Sequence, residues 1–135
     1  MFKNLKVLEL SSVLAGPAVG MFFSELGAQV IKVENKTTNG DVTRKWKLPS
    51  EKKTDLSAYF CSVNYKKNYI FLDFNNQEDS KELEVLIKNC DIMITNFKGE
   101  DAAKFNLEFE DCKKINPVII YAHIGGFKTN PKRVA

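Results

Sequence analysis

Apolar and polar positions along the chain follow two periods in turn. Short apolar runs recur at Val7, Leu8 and Leu10, at Val30, Ile31 and Val33, at residues 69–72, at residues 92–94 and at residues 118–121. Runs this short and continuous predict strands covered on both faces, as in a parallel sheet. Between them the spacing becomes helical. Val19, Phe22, Phe23 and Leu26 fall at i, i+3, i+4 and i+7, which predicts one apolar helix face turned to the core. Leu83, Leu86, Ile87 and Cys90 repeat the spacing, leaving Lys81, Glu82, Glu84 and Lys88 for solvent. A short helix over residues 56–63 could be capped by Asp55, and residues 100–105 and 109–115 read as further helical turns. Gly16-Pro17 marks the first strand-to-helix turn, and Pro17 suits the first helical position, where its missing N–H is not needed. Gly27 suits the helix stop.

Strands that alternate with helices predict an α/β fold: a Rossmann-like, mostly parallel sheet with helices on both faces. The first strand, helix and strand form a right-handed βαβ unit. Ligands of such sheets bind beyond the carboxyl ends of the strands, where residues 11–17 and 34–44 lie. Residues 35–53 are polar and charged, a surface loop long enough to serve ligand binding.

Composition narrows the picture. With 135 residues the chain can build one domain around a real core, and 44% hydrophobic with 27% charged residues suits a soluble protein. A net charge of +3 does not argue for nucleic acid. Cys61, Cys90 and Cys112 are scattered and odd in number, which points to reduced thiols in a cytoplasmic protein and against a disulfide framework or zinc site. All three fall on apolar faces and are expected in the core. No apolar run approaches a membrane span, and no signal peptide is expected.

The candidate chemistry is incomplete. The G-x-G-x-x-G fingerprint is absent, since the segment offers Gly16 and Gly20 alone, and Pro17 removes an N–H that could meet a pyrophosphate. A plain NAD site is therefore not expected. Glu34 ends the second strand, either as a ribose-binding acid or as an exposed carboxylate near Lys32 or Lys36. Arg44, Lys45, Lys66, Lys67 and Lys104 sit on loops or at element ends, where a phosphate-bearing ligand would want them, although any one alone reads as a solvated charge. Asn96-Phe97 follows the fourth strand, as a hydrogen-bonding and stacking pair or as a turn residue and core plug. His123 has no partner by pattern and reads as structural. Paired carboxylates, a nucleophile elbow, a P-loop and a metal cluster are all missing.

Val7-Leu8-Glu9-Leu10, Val13-Leu14-Ala15-Gly16-Pro17 and residues 26–34 closely resemble the opening of the class III coenzyme A transferases, the CaiB/BaiF family. The similarity continues through Gly40-Asp41-Val42-Thr43-Arg44, Asn64 to Asn68, Asp91 to Phe97 and Asn116 to Tyr121. The resemblance implies that residues 1–135 are a single domain, the N-terminal coenzyme A-binding part of the family's large domain, with the small domain absent. It implies transfer of coenzyme A between an acyl-CoA thioester and a small carboxylic acid, with coenzyme A as substrate, no metal, no nucleic acid or membrane partner, and a homodimer or self-associating unit. By resemblance, Val13, Leu14 and Ala15 face the coenzyme, Leu72, Asn96 and Phe97 line the adenine and pantetheine path, and Lys104 stands where the family often has a phosphate-binding arginine. Arg133 is a further basic contact, and Asn35 occupies a position where an arginine is common. The family's catalytic aspartate lies in a downstream segment that this sequence does not reach, and Asp41, Asp73 and Asp91 do not match its motif. No catalytic residue is therefore assigned. A short non-catalytic coenzyme A-binding or interaction module, or part of an α-methylacyl-CoA racemase, are the alternatives.

Overall fold

The apolar runs become five strands: β1 (Lys6–Leu10), β2 (Gln29–Asn35), β3 (Asn68–Leu72), β4 (Ile92–Thr95) and β5 (Ile120–His123). A computed structural model describes residues 1–51, 56–98 and 100–126. All strand pairings are parallel, in the order β3-β2-β1-β4-β5. The chain moves outward from β1 to β2 and β3, then returns to the other side of β1 for β4 and β5. The direction of winding thus reverses between β1 and β4. The intervening helices are α1 (Ala15–Glu25), α2 (Ala58–Val63), α3 (Gln77–Asn89), α4 (Asp101–Lys104) and α5 (Phe109–Ile115).

Alternate β1 side chains serve two layers. Leu8 and Leu10 join Met93, Leu83, Ile87 and Cys112 in the core beneath α3 and α5. Val7 joins Val30, Ile94 and Ala28 on the α1 side, with Phe2 and Phe23 closing the edge. Cys90 and Cys112 are buried, and burial pushes both thiols up to about 11. Cys61 is exposed, contrary to expectation, because α2 turns that position outward.

The predicted buried face of α1 is half wrong: Phe23 packs against the edge of the core, but Val19 and Phe22 do not. Its buried residues are Gly16, Pro17, Gly20 and Ser24, while Val19 and Phe22 are 37% and 54% exposed. The helix lies too close to β1 for large side chains: a Cβ on Gly16 would run into Ser11, and one on Gly20 into the Glu9 carboxylate. Charge, not hydrocarbon, lies beneath its middle. The helix also starts two residues earlier than expected, so Pro17 is its third residue, still within the first turn, where N–H groups have no intrahelical partner.

Two further boundaries moved for local reasons. Ser57 caps α2 through its Oγ, which accepts from Phe60 N at 2.9 Å; Asp55, the expected cap, lies outside the described residues. The last strand begins two residues late because Asn116 builds a turn before it. The Asn116 amide donates to Ile87 O (2.9 Å) and Cys90 O (2.8 Å), its Oδ1 accepts from Val118 N (3.3 Å), and Val118 is left 85% exposed. Among the described residues, no helix is long and apolar enough to cross a membrane.

Candidate functional site

A hollow of about 670 Å³ opens beyond the carboxyl ends of β1, β2 and β4, at the point where the strand order reverses. Open α/β sheets take ligands at this place, and the volume suits a small-molecule site. Residues 11–15 form one side, Glu34, Asn35 and residues 40–42 another, and Asn96, Phe97 and Lys98 a third. Phe74 and Phe105 complete an aromatic wall, with ring centroids 6.3 Å apart for Phe74–Phe97 and 5.2 Å for Phe74–Phe105.

The loop after β1 is pinned one residue at a time. Lys32 Nζ donates to Ser11 O at 2.5 Å. Asn96 bonds Ser12 twice, accepting from its N–H at 3.0 Å and donating to its carbonyl at 2.8 Å, so an amide side chain extends the β1–β4 ladder by one rung. The Val13 N–H donates to the Asp41 carboxylate, at 3.1 Å to Oδ2 and 3.4 Å to Oδ1. Val13 itself has φ +70°, a left-handed conformation that is a genuine outlier for a β-branched residue.

Beneath this loop lies a buried ionic cluster. Lys32 Nζ is 2.9 Å from Glu9 Oε1 and 3.3 Å from Asp41 Oδ2. The other Glu9 oxygen pairs with Lys67 Nζ at 2.7 Å. Lys67 also donates to Pro17 O (2.7 Å) and Asn64 Oδ1 (3.0 Å). The side chains of Glu9, Lys32 and Lys67 are wholly buried. Two ammonium groups balance two carboxylates, which is how such charges survive away from water. Burial draws Lys67 down to about 8, against the opposing pull of Glu9. Burial pushes the Asp41 carboxyl up, but the Thr43 N–H bond and the Lys32 charge outweigh it and leave the group below its usual range.

Glu34 and Arg44 close the far side. Arg44 Nε donates to Glu34 Oε2 at 2.7 Å and its Nη2 to Oε1 at 2.6 Å, while Asp41 N donates to Oε2 at 2.8 Å. The guanidinium lies over Phe60 (4.0 Å) and Tyr69 (4.6 Å). Glu34 is thus neither a ribose acid with free oxygens nor an exposed carboxylate. Arg44 and Lys67, two of the five loop cations, are committed to internal partners.

Of the residues expected at a site, Val13, Leu14, Ala15, Asn35, Asn96 and Phe97 all line the hollow. The Asn96 amide is spent on Ser12, so it shapes the loop. Leu72 lies in the core at the end of β3, in register with Asn35. Lys104 ends α4 and borders a neighbouring hollow of about 280 Å³ that shares Phe74 and Phe105 with the first. Arg133 lies outside the described residues. His123 is the last residue of β5, with Nδ1 3.0 Å from Thr95 Oγ1. Among the described residues, no three metal-ligating side chains come together. Sequence reading missed Glu9, Lys32 and Asp41 as the foundation of the site. A signal was present: Glu9 and Lys32 are opposite charges in two strands expected to be buried on both faces, and they stand in register.

Comparison with known proteins agrees with this architecture. A family model described as CoA-transferase family III matches residues 2–134. The chain is 38% identical over 133 residues to the succinate–glutarate CoA-transferase of Agrobacterium fabrum, covering 95% of this chain and 33% of that protein. It is 37% identical over 128 residues to the formyl-CoA:oxalate CoA-transferase of Afipia carboxidovorans, covering 95% and 30%. A CAIB/BAIF family protein from Brucella suis superposes with a TM-score of 0.82 at 40% identity, over 93% of this chain and 33% of that one. The chain spans about a third of the length of these relatives. Matched along nearly its whole length, with its strands in the same arrangement, the chain belongs to CoA-transferase family III.

Proposed function

We propose that this chain is the N-terminal, coenzyme A-binding portion of a family III CoA-transferase, which moves coenzyme A between an acyl-CoA thioester and a small carboxylic acid. The observation that carries the reading is the hollow at the reversal of strand order, bounded by a pinned backbone loop on one side and an aromatic wall on the other. Coenzyme A has an aromatic head, a phosphate-rich middle and a thin, amide-bearing arm. Phe74, Phe97 and Phe105 offer the head or arm a stacking and apolar surface. Lys98 lines the hollow and Lys104 borders the neighbouring one; both are exposed, which supports reading them as phosphate contacts. The loop backbone at residues 13–15 lies open to the arm.

Acyl transfer through a covalent intermediate needs a carboxylate free to attack the thioester. Glu34 and Asp41, the buried carboxylates on the hollow, are bonded to Arg44, Val13, Thr43 and Lys32. They shape the site and do not serve as nucleophiles, so on this reading the attacking aspartate belongs to the remainder of the enzyme. Exposed Val118, just before the outer strand, and Ile120, its first residue, support self-association of this unit, for which light scattering is the direct measurement.

Calorimetric titration of the purified chain with coenzyme A, and in parallel with NAD, tests the proposal. Binding of coenzyme A without NAD is expected, weakened by roughly 1–3 kcal/mol in Lys104→Ala, as for a charge-assisted contact. Binding of NAD without coenzyme A would overturn it.

A further inference from the structure

We propose that Asp41 is a positioning residue for coenzyme A: its carboxylate keeps the Val13 peptide in the left-handed conformation that presents residues 13–15 to the hollow. The inference rests on the coenzyme A reading above and goes beyond it by assigning the preorganisation of the binding loop to one side chain.

Three consecutive residues of the loop are each gripped by a side chain from a different segment. Ser11 is gripped through its carbonyl by Lys32 of β2, Ser12 through both backbone groups by Asn96 after β4, and Val13 through its N–H by Asp41 of the 34–44 corner. The grips at Ser11 and Ser12 maintain an unstrained extension of the strand. The grip at Val13 maintains a backbone state that valine does not adopt unaided. Where the loop merely has to turn, glycine would occupy this conformation without strain. Valine there, lining the hollow, means that a side chain is wanted at that spot and that something else must supply the stabilisation.

Asp41 is built to supply it. Its Oδ1 accepts from Thr43 N at 3.0 Å and Thr43 Oγ1 at 2.8 Å, its Oδ2 faces Lys32 Nζ at 3.3 Å, and its own N–H is fixed on Glu34. The residue is 4% exposed. A carboxylate immobilised from three directions can impose its geometry on Val13 rather than follow it. A loop ordered before the ligand arrives spares the ligand the ordering cost.

The test combines Asp41→Asn with Val13→Gly. Asparagine keeps an acceptor for Thr43 but has no second oxygen for the Val13 N–H and no charge for Lys32. Asp41→Asn should weaken coenzyme A binding, measured calorimetrically, by about tenfold in the wild-type background and by no more than about threefold in the Val13→Gly background, where glycine adopts the conformation unaided. Equal losses in both backgrounds, or no loss in either, would overturn the positioning role, because a general weakening of the fold would not depend on residue 13. Should Asp41→Asn fail to fold, nuclear magnetic resonance of the wild-type chain decides. The Val13 amide proton should shift with a carboxyl titration below the usual aspartate range, and its scalar couplings should report a positive φ. A Val13 amide indifferent to that titration would overturn the proposal. Wild-type chain that binds no coenzyme A overturns the ligand reading itself, while the amide measurement then decides the Asp41–Val13 contact separately.

Discussion

Replacing Gly20 by alanine should destabilise this protein, although alanine is the better helix former. In an exposed helix interior the exchange gains about 1 kcal/mol. Here the new Cβ would fall inside the Glu9 carboxylate, 2.9 Å from its Cδ and 3.2 Å from Lys67 Nζ. Ordinary carbon contacts need about 3.5–4 Å, so either α1 lifts off the sheet or Glu9 retreats. Glu9 has nowhere to go, since Lys32 and Lys67 grip its two oxygens at 2.9 and 2.7 Å in a site without solvent. Removing one partner of a buried pair costs about 3–5 kcal/mol, which sets the upper scale for forcing Glu9 off its lysines. Set against the helix gain, the net loss reaches roughly 2–4 kcal/mol, or about 10 °C in melting temperature for a chain of this size. Circular dichroism melts and urea titrations of the two proteins provide the measurement. An alanine variant as stable as the parent, or more so, would refute the picture of α1 seated on a charged cluster through its small residues.

Lys67 predicts a pH signature. Its folded value of about 8 lies below the ordinary 10.5, so between those values the unfolded chain holds more protons, and stability should rise with pH across that window. The stability difference between wild type and Lys67→Met, followed by urea midpoints from pH 7 to 10.5, should therefore move in favour of the wild type; a flat difference would contradict the burial of the ammonium. Arg44→Lys keeps the charge but loses the fork on Glu34 and the stack on Phe60 and Tyr69, and should cost about 1–2 kcal/mol in the same assay. A lysine variant of equal stability would show that a point charge suffices there.

The sheet was readable because its apolar runs are short, continuous and separated by helical spacing, and a parallel sheet covered on both faces leaves little else for such runs to be. Topology pointed to the end of the sheet where the hollow opens, and residues 13–15, 96 and 97 line that hollow. What hydropathy could not supply is depth. It turned Val19 and Phe22 inward because it assumes that large apolar side chains seek the core, whereas the separation of α1 from β1 is set by Gly16 and Gly20. Nor could it choose for Arg44 and Lys67 beyond a phosphate contact or a solvated charge, because a charge on a loop carries no mark of an internal partner. Glu34 and Glu9 are those partners, and the pairing is three-dimensional. The start of β5 was misplaced for a similar reason, since the Asn116 turn depends on carbonyls near the end of α3.

The charged cluster has a consequence for how the chain folds. Glu9, Lys32, Asp41 and Lys67 come from four separate stretches of sequence, and each is neutralised by the others. A partly folded form with β1 and β2 paired but residues 64–67 still loose would strand one oxygen of Glu9 in a nonpolar setting. One lacking the 34–44 corner would leave Lys32 and Lys67 to share a single carboxylate, Glu9. Such forms are penalised by charge as well as by exposed hydrocarbon, which narrows the population of half-built states. Hydrogen exchange should then show the β1, β2 and α1 amides opening together, at the free energy of the whole unit rather than piecemeal.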